Sequence, residues 1–203
     1  MTDRETVREL LREHGETYAE QAGIRLRNAP SPLYRLLVLS VLCATRIKAD
    51  LAVDAARELS RDGLRTPRAM ADASWQSVVD ALGRAHYRRY DESTATALHD
   101  GAELLLHRWH GDLRRLRAEA DGSPAAVRRL LQEVPRIGPT GADIFCREAQ
   151  TVWPELRPAF DRAARGRADE LGLPGTPAEL AALAPGGDCA RLAAALVRSK
   201  LAG

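Results

Sequence analysis

The stretch from Leu130 to Gln150 constrains the fold of this chain more than any other segment. Two apolar helical patterns flank a short break, and Pro139 stands where a first-turn proline would open the second helix. We expect Ile137 to fill the seam between the helices and Gly138 to let other atoms approach the backbone closely. The segment therefore predicts a helix, a tight hairpin and a second helix whose first N–H groups suit a phosphate.

The composition predicts an all-α fold. With 203 residues, of which 45% are hydrophobic, the chain can bury a core, but only 4% are aromatic. A core built mainly from leucine, alanine and valine favours helices over a β-sandwich. Capping signals divide the chain into helices, with no strand pattern and no repeat. These signals are Thr2 with Glu5, Ser31-Pro32, Thr66-Pro67, Ser74 and Ser123-Pro124.

Three segments carry a resemblance to a known family. The hairpin reads Val134-Pro135-Arg136-Ile137-Gly138, Pro158-Ala159-Phe160-Asp161 ends 23 residues after Gly138, and an early helix contains LSVLCAT at 39–45. In this order they resemble the helix-hairpin-helix DNA glycosylase superfamily, specifically its endonuclease III branch. In that branch the hairpin typically reads Leu-Pro-Gly-Val-Gly, so that Arg136 stands in place of the first glycine.

The resemblance implies a two-lobed all-α fold. Residues 28–149 would form a six-helix barrel lobe that carries the helix-hairpin-helix at 130–150, and residues 1–27 and 150–203 would form a smaller second lobe. The groove between the lobes would hold the active site. The function implied is that of a DNA repair glycosylase, which flips a damaged or mismatched base out of double-stranded DNA and excises it. We expect a monomer.

Asp161 matches the catalytic aspartate of the family. Cleavage of an N-glycosidic bond passes through an oxocarbenium-like state, so that a nearby carboxylate can stabilise the positive charge or activate water. An aspartate after Pro-Ala-Phe is also a favourable N-cap for the segment RAARGRADEL, and the two roles are compatible. Asp143 is a weaker candidate, and we expect both it and Glu148 to be solvated or paired on their helix.

Thr140 occupies the position of the lysine that bifunctional relatives use to form a Schiff base. A hydroxyl cannot form an imine, so the resemblance implies a monofunctional enzyme without lyase activity. Thr140 would either orient water or cap the second hairpin helix. A DNA-binding protein that has kept the fold and lost catalysis is the alternative, and a helical protein–protein adaptor is a third.

Contacts to DNA are expected from two regions. The hairpin matches the family's phosphate-binding hairpin. The segment Arg84–Tyr90, which combines cations with aromatic rings, matches the family's duplex-wedging loop, but it is equally typical of a solvated loop. Arg128, Arg129, Arg136 and Arg147 surround the hairpin and could contact the phosphate backbone. Cys43 would face the duplex or be a small buried thiol. The candidate DNA-binding residues are Arg84, His86, Tyr87, Arg88, Cys43, Arg136, Ile137, Gly138, Thr140 and Gly141.

No cofactor is expected. The three cysteines, Cys43, Cys146 and Cys189, are scattered and lack the close spacing of a zinc site or of the iron–sulfur cluster found in many endonuclease III relatives. The N-terminus is charged, and no apolar run approaches membrane length, so we expect a cytoplasmic protein. The net charge is only +2, but nearly all the cations are arginine, either for phosphate binding or through genomic composition.

Overall fold

The computed structural model describes residues 2–201, which contain thirteen α-helices and no β-strand. The all-α prediction is therefore confirmed for these residues. Short 3₁₀ turns lie at Pro154–Leu156 and Pro185–Gly187. The helices are α1 Asp3–His14, α2 Tyr18–Gln21, α3 Pro30–Cys43, α4 Ala49–Arg61, α5 Pro67–Asp72, α6 Trp75–Arg84, α7 Asp91–Trp109, α8 Leu113–Glu119, α9 Pro124–Leu131, α10 Pro139–Ala149, α11 Arg162–Glu170, α12 Pro177–Leu183 and α13 Cys189–Leu201.

The capping signals place most helix starts correctly. Thr2 and Glu5 form the expected capping box, in which the Glu5 carboxylate accepts from the Thr2 N–H at 2.8 Å. The side chains of Thr66, Ser74 and Ser123 each accept a backbone N–H in the first turn of their helices. These oxygens satisfy N–H groups that have no partner inside the helix.

The predicted cap at Ser31 is wrong. Helix α3 begins two residues earlier than predicted, at Pro30, and its N-cap is Ala29, which makes no side-chain capping bond. Both Pro30 and Pro32 fit the first turn because their missing N–H groups would have no helical acceptor there. The Ser31 hydroxyl donates instead to the Arg65 carbonyl at 2.9 Å.

Helix α3 is the centre of the larger of two hydrophobic cores. It is buried on nearly all sides, as its continuous apolar sequence predicts. The larger core includes side chains from Tyr18 to Leu156, and the smaller one is formed by α1, α11, α12 and α13. Residues 18–24 and 153–156 pack in the larger core, whereas the resemblance had assigned both segments to the second lobe. The exact lobe boundaries remain a prediction.

Trp153 closes the larger core where the chain leaves α10. Its ring is fully buried, lies 5.5 Å from that of Phe145, and is covered by the guanidinium of Arg117 at 5.5 Å. The indole N–H donates to the Asn28 side-chain oxygen at 3.0 Å. None of the helices between residues 2 and 201 combines the length and apolar character needed to cross a membrane.

Replacing Trp153 with alanine should lower the free energy of unfolding by about 3–5 kcal/mol, because the change leaves a cavity in the larger core. Urea unfolding followed by circular dichroism measures this loss. Trp75→Ala is the matched control, since 41% of Trp75 is exposed, and it should cost less than about 1 kcal/mol. Equal losses for the two variants would contradict the assigned role of Trp153.

Candidate active site

The predicted hairpin is present between α9 and α10. The Ile137 N–H donates to the Val134 carbonyl at 3.0 Å, and the Ile137 side chain is buried in the larger core, as expected. Gly138 is the N-cap of α10 and Pro139 is its first residue. The N–H groups of Gly138 and Thr140 have no acceptor within residues 2–201. A Cβ atom built on Gly138 would meet no protein atom within 4 Å, so the amino terminus of α10 is open to solvent.

Arg136 adopts a left-handed backbone conformation, with φ of 64°. The hairpin thus keeps a conformation that favours glycine although the residue is arginine. Its guanidinium donates to the hydroxyls of Ser93 at 2.7 Å and Thr94 at 3.3 Å, and lies 5.8 Å from the centre of the Tyr90 ring. Arg136 therefore ties the hairpin to the start of α7, and a DNA contact would compete with these bonds.

Gly141 packs inside the protein. A Cβ atom at this position would lie 3.3 Å from the Ile137 side chain and 3.4 Å from the Cβ of Ala44. The absence of a side chain lets α10 approach the end of α3 closely. Thr140 is exposed and does not cap α10, because Gly138 holds the cap position. The capping role considered for Thr140 is therefore wrong.

A groove of about 1040 Å³ lies between elements of the two cores. Helix α10 lines it with Thr140, Asp143, Ile144 and Arg147. The opposite side is formed by the first turns of α11 and the last turn of α13. The lining residues also include His14, Tyr18, Cys43, Lys48, Asp50 and Asp161, and the side chains contributed by α11 and α13 include Arg162, Arg198 and Lys200. The structure thus brings Asp161, Thr140 and Cys43 into one groove.

The position of Asp161 fits both roles considered for it, that of a catalytic carboxylate and that of a helix N-cap. As the N-cap of α11 it accepts the Ala164 N–H through Oδ1 at 2.9 Å. Its Oδ2 accepts from Nη1 of Arg147 at 2.5 Å. The side chain is 9% exposed and lines the groove. The carboxylate is therefore held by two donors in a fixed orientation at the edge of the cavity.

Arg147 and Glu148 are buried, which contradicts the phosphate contact expected of the first. Of the two alternatives for Glu148, a solvated side chain is wrong, and its carboxylate instead lies beside Arg147 of the same helix. Nε of Arg147 lies 3.7 Å from a carboxylate oxygen of Glu148, and the other Glu148 oxygen accepts the Ala19 N–H at 2.9 Å. Burial raises the pKa of Glu148, opposed by Arg147. Burial lowers the pKa of Arg147, but the carboxylates of Asp161 and Glu148 outweigh it, so Arg147 stays charged.

Tyr18 and Cys43 bring two protonated groups to the groove. Burial raises the pKa of the Tyr18 phenol to about 12, and the guanidiniums of Arg147 and Arg198 lie 5.4 Å and 6.0 Å from its ring centre. Burial also raises the pKa of the Cys43 thiol to about 12, against the opposing charge of Arg147. Near neutral pH both groups are therefore neutral, and the Cys43 thiol is a poor nucleophile.

The segment 84–90 is divided between surface and core. Tyr87 is fully buried and its hydroxyl lies 2.8 Å from the Thr45 hydroxyl, so it cannot stack on a base without leaving the core. Arg84 pairs with Glu58 at 3.0 Å and with Asp62 at 2.5 Å. His86 and Arg88 are exposed, and His86 has a positive φ of 58°. His86 and Arg88, together with Arg89 of the same segment, thus remain exposed for the duplex contact expected here.

Sequence reasoning missed Tyr18 and the burial of the Arg147–Glu148 pair. A signal for the pair does exist, because Arg147 and Glu148 follow the apolar residues Ile144 and Phe145 by one helical step of three. They therefore fall within the buried stripe of α10. Tyr18 lies on a four-residue helix that gives no comparable periodicity.

The comparisons with known proteins bear on the fold. No family model and no curated protein matches the chain. A solved structure of a trapped endonuclease III–DNA covalent intermediate, an estranged-adenine complex, is similar, with a TM-score of 0.54. The match covers 97% of this chain and 85% of that chain at 15% identity. This chain has the endonuclease III fold. At this identity the likeness establishes the fold, and the chemistry must be argued from the residues.

Replacing Arg136 tests whether the hairpin requires a left-handed backbone conformation at this residue. Arg136→Gly and Arg136→Ala both remove the bonds to Ser93 and Thr94, but only glycine removes the penalty of a left-handed side-chain-bearing residue. We expect Arg136→Gly to be about 1 kcal/mol more stable than Arg136→Ala in urea unfolding. A glycine variant no more stable than the alanine variant would show that the hairpin does not require this conformation.

Proposed function

We propose that this protein is a DNA N-glycosylase that removes a damaged or mismatched base from double-stranded DNA. The observation that carries the proposal is the Asp161 carboxylate, which is held by Arg147 and by the Ala164 N–H at the edge of a groove between the two cores. This arrangement occurs on the endonuclease III fold, at the position that the sequence resemblance assigns to the catalytic aspartate.

Asp161 has two roles in this reaction, first as a negative charge that stabilises a cation and then as a general base. As the bond between C1′ and the base nitrogen breaks, the electron pair leaves with the base and positive charge develops on the sugar. The carboxylate stabilises that charge in a cavity where water is restricted. Water then adds to C1′ and gives up a proton, for which Asp161 is the acceptor. The products are an abasic strand and a free base, which takes up a proton.

The groove and the hairpin have complementary tasks in this proposal. A volume of about 1040 Å³ can receive a nucleotide turned out of the duplex. The free N–H groups at the start of α10 would hold a phosphate beside the extruded nucleotide. Lys48 and Arg162 line the groove and have no ion pair within residues 2–201. Because the net charge of the protein is only +2, DNA binding would depend on these local groups more than on the electrostatic field of the whole protein.

The proposed enzyme is monofunctional. Thr140 lines the groove where bifunctional relatives carry the lysine nucleophile, and its hydroxyl cannot form an imine with the sugar. The reaction would therefore stop at the abasic strand.

A DNA-binding protein without catalysis is the second candidate, and one observation favours it. Both Asp161 oxygens already have protein donors, and only 9% of the side chain is exposed. A carboxylate that served only as a helix cap and ion-pair partner would look the same. The two candidates differ in whether an abasic site is formed.

Asp161→Asn should abolish base release while duplex binding survives, because the carboxylate acts on charge that develops only in the transition state. The assay incubates the protein with duplexes that each carry one damaged or mismatched base, and then reveals abasic sites with alkali. Asp143→Asn is the matched control, since Asp143 is a carboxylate of the same groove paired with Arg128. Circular dichroism checks that both variants are folded.

Full activity in a folded Asp161→Asn variant would refute the catalytic assignment. Base release by neither wild type nor variant across the series, with salt-dependent duplex binding retained, would favour the second candidate.

Incubation with a substrate duplex should leave an intact abasic strand that breaks only after alkali or heat, and borohydride should trap no covalent adduct. Thr140→Lys provides the converse experiment, because it places an amine in the groove at the position of the family's nucleophile. We expect this variant to show weak strand scission and a trappable adduct. An adduct with the wild-type protein would contradict monofunctionality and direct attention to Lys48 and Lys200.

A further inference from the structure

Three charged side chains form a buried row that reaches the wall of the groove. Glu148 lies 3.7 Å from Nε of Arg147, and Nη1 of Arg147 lies 2.5 Å from Asp161. The side chains of Glu148, Arg147 and Asp161 are 1%, 3% and 9% exposed. Exposure thus increases along the row; Arg147 and Asp161 both line the groove, and Asp161 is the more exposed of the two.

Each end of the row is fixed by the backbone. The Ala19 N–H donates to Glu148 at 2.9 Å, and the Ala164 N–H donates to Asp161 at 2.9 Å. The ring of Tyr18 lies 5.4 Å from the guanidinium carbon of Arg147 and covers it. The row therefore connects α2, α10 and the start of α11, which are distant along the chain.

Stability alone does not account for the row. Burying charged groups costs desolvation energy that their attraction often fails to recover, and apolar side chains of similar size would fill the same space. Nε of Arg147 and one oxygen of Glu148 are buried, lie 3.7 Å apart, and have no hydrogen-bond partner among residues 2–201. This incomplete hydrogen bonding makes the burial of the two charges costly, so the row needs an explanation other than stability. The nearest functional group is the Asp161 carboxylate.

We propose that Arg147 is a positioning residue for Asp161, and this rests on the proposed function. A carboxylate alone at a helix start can rotate while keeping one oxygen on the capping N–H. The bond from Arg147 to the second oxygen stops that rotation and directs the free lone pairs into the groove. Glu148 holds the guanidinium from the opposite side, so that Arg147 keeps its place.

A positioning role and a purely electrostatic role for Arg147 predict opposite effects when its side chain is removed. Arg147 is a cation close to the position where the sugar becomes positive. If it acted only through its charge, its removal would strengthen the binding of a cation in the groove. If it positions Asp161, its removal weakens that binding, because the carboxylate no longer faces the cation.

The experiment uses two duplexes that differ in one ring. One carries a neutral tetrahydrofuran in place of a nucleoside, and the other carries a pyrrolidine whose protonated nitrogen resembles the charged sugar. The measured quantity is the ratio of the two Kd values, which does not require knowledge of the base removed. The proposed function alone predicts a preference of about tenfold or more for pyrrolidine in wild type, and none in Asp161→Asn.

Arg147→Lys is the decisive variant because it keeps the charge and loses the planar, longer guanidinium. We expect its pyrrolidine preference to fall at least fivefold, and that of Arg147→Met to fall further. Arg117→Met is the matched control, since it breaks a partly buried ion pair with Glu155 that does not line the groove and should leave the preference unchanged. Near-ultraviolet circular dichroism verifies that each variant is folded.

The positioning role would be overturned if Arg147→Lys preferred the pyrrolidine duplex as strongly as the wild type does, or if Arg147→Met preferred it more strongly. Either result would leave the proposed function intact. If Arg147→Met does not fold, Arg147→Lys still decides, because charge alone predicts no change for it. If wild type itself prefers neither duplex, the proposed function fails, and the role of Arg147 fails with it.

Discussion

The close approach of α10 to α3 is the contact on which the rest of the structure depends. Gly141 favours it, because a Cβ at this position would lie 3.3 Å from the end of the Ile137 side chain, closer than most Cβ contacts, and 3.4 Å from the Cβ of Ala44. Once α10 is in place, its apolar face completes the larger core through Phe145 and Cys146. Its two buried charged residues, Arg147 and Glu148, contact Asp161 and the Ala19 N–H, respectively. One helix thus supplies the hairpin, the groove wall and the support for Asp161.

Much of the fold could be predicted because its signals are local. Proline at a first turn and a side-chain oxygen before it place a helix start without knowledge of the tertiary structure, as at Thr66 and Ser123. The failure at Ser31 has the same origin, since two prolines compete for one turn and sequence alone does not choose between them. The hairpin was predictable because its glycine, proline and apolar positions all lie within a short segment.

The site was predictable only in part, because tertiary contacts determine the state of its polar residues. Asp161 combined a local capping signal with a resemblance, and the structure places it at the groove with the cap formed. Tyr87 and Arg84 belong to a segment whose composition suggests a DNA contact, yet one completes the core and the other pairs with distant carboxylates. Arg147 shows the converse case, in which a charge that sequence reasoning assigns to the surface is buried. Burial of a charge depends on partners such as Ala19 and Asp161, which are remote in sequence.

The distribution of amines has a practical consequence. The chain has only two lysines, Lys48 and Lys200, and both line the groove that holds Asp161. All its other basic side chains are arginine or histidine, which amine-selective acylating reagents leave largely unmodified. Apart from the terminal amino group, such a reagent would therefore label this groove and little else. The native protein thus carries its own chemical probe of groove occupancy, and no label has to be introduced to observe whether a bound molecule covers the site.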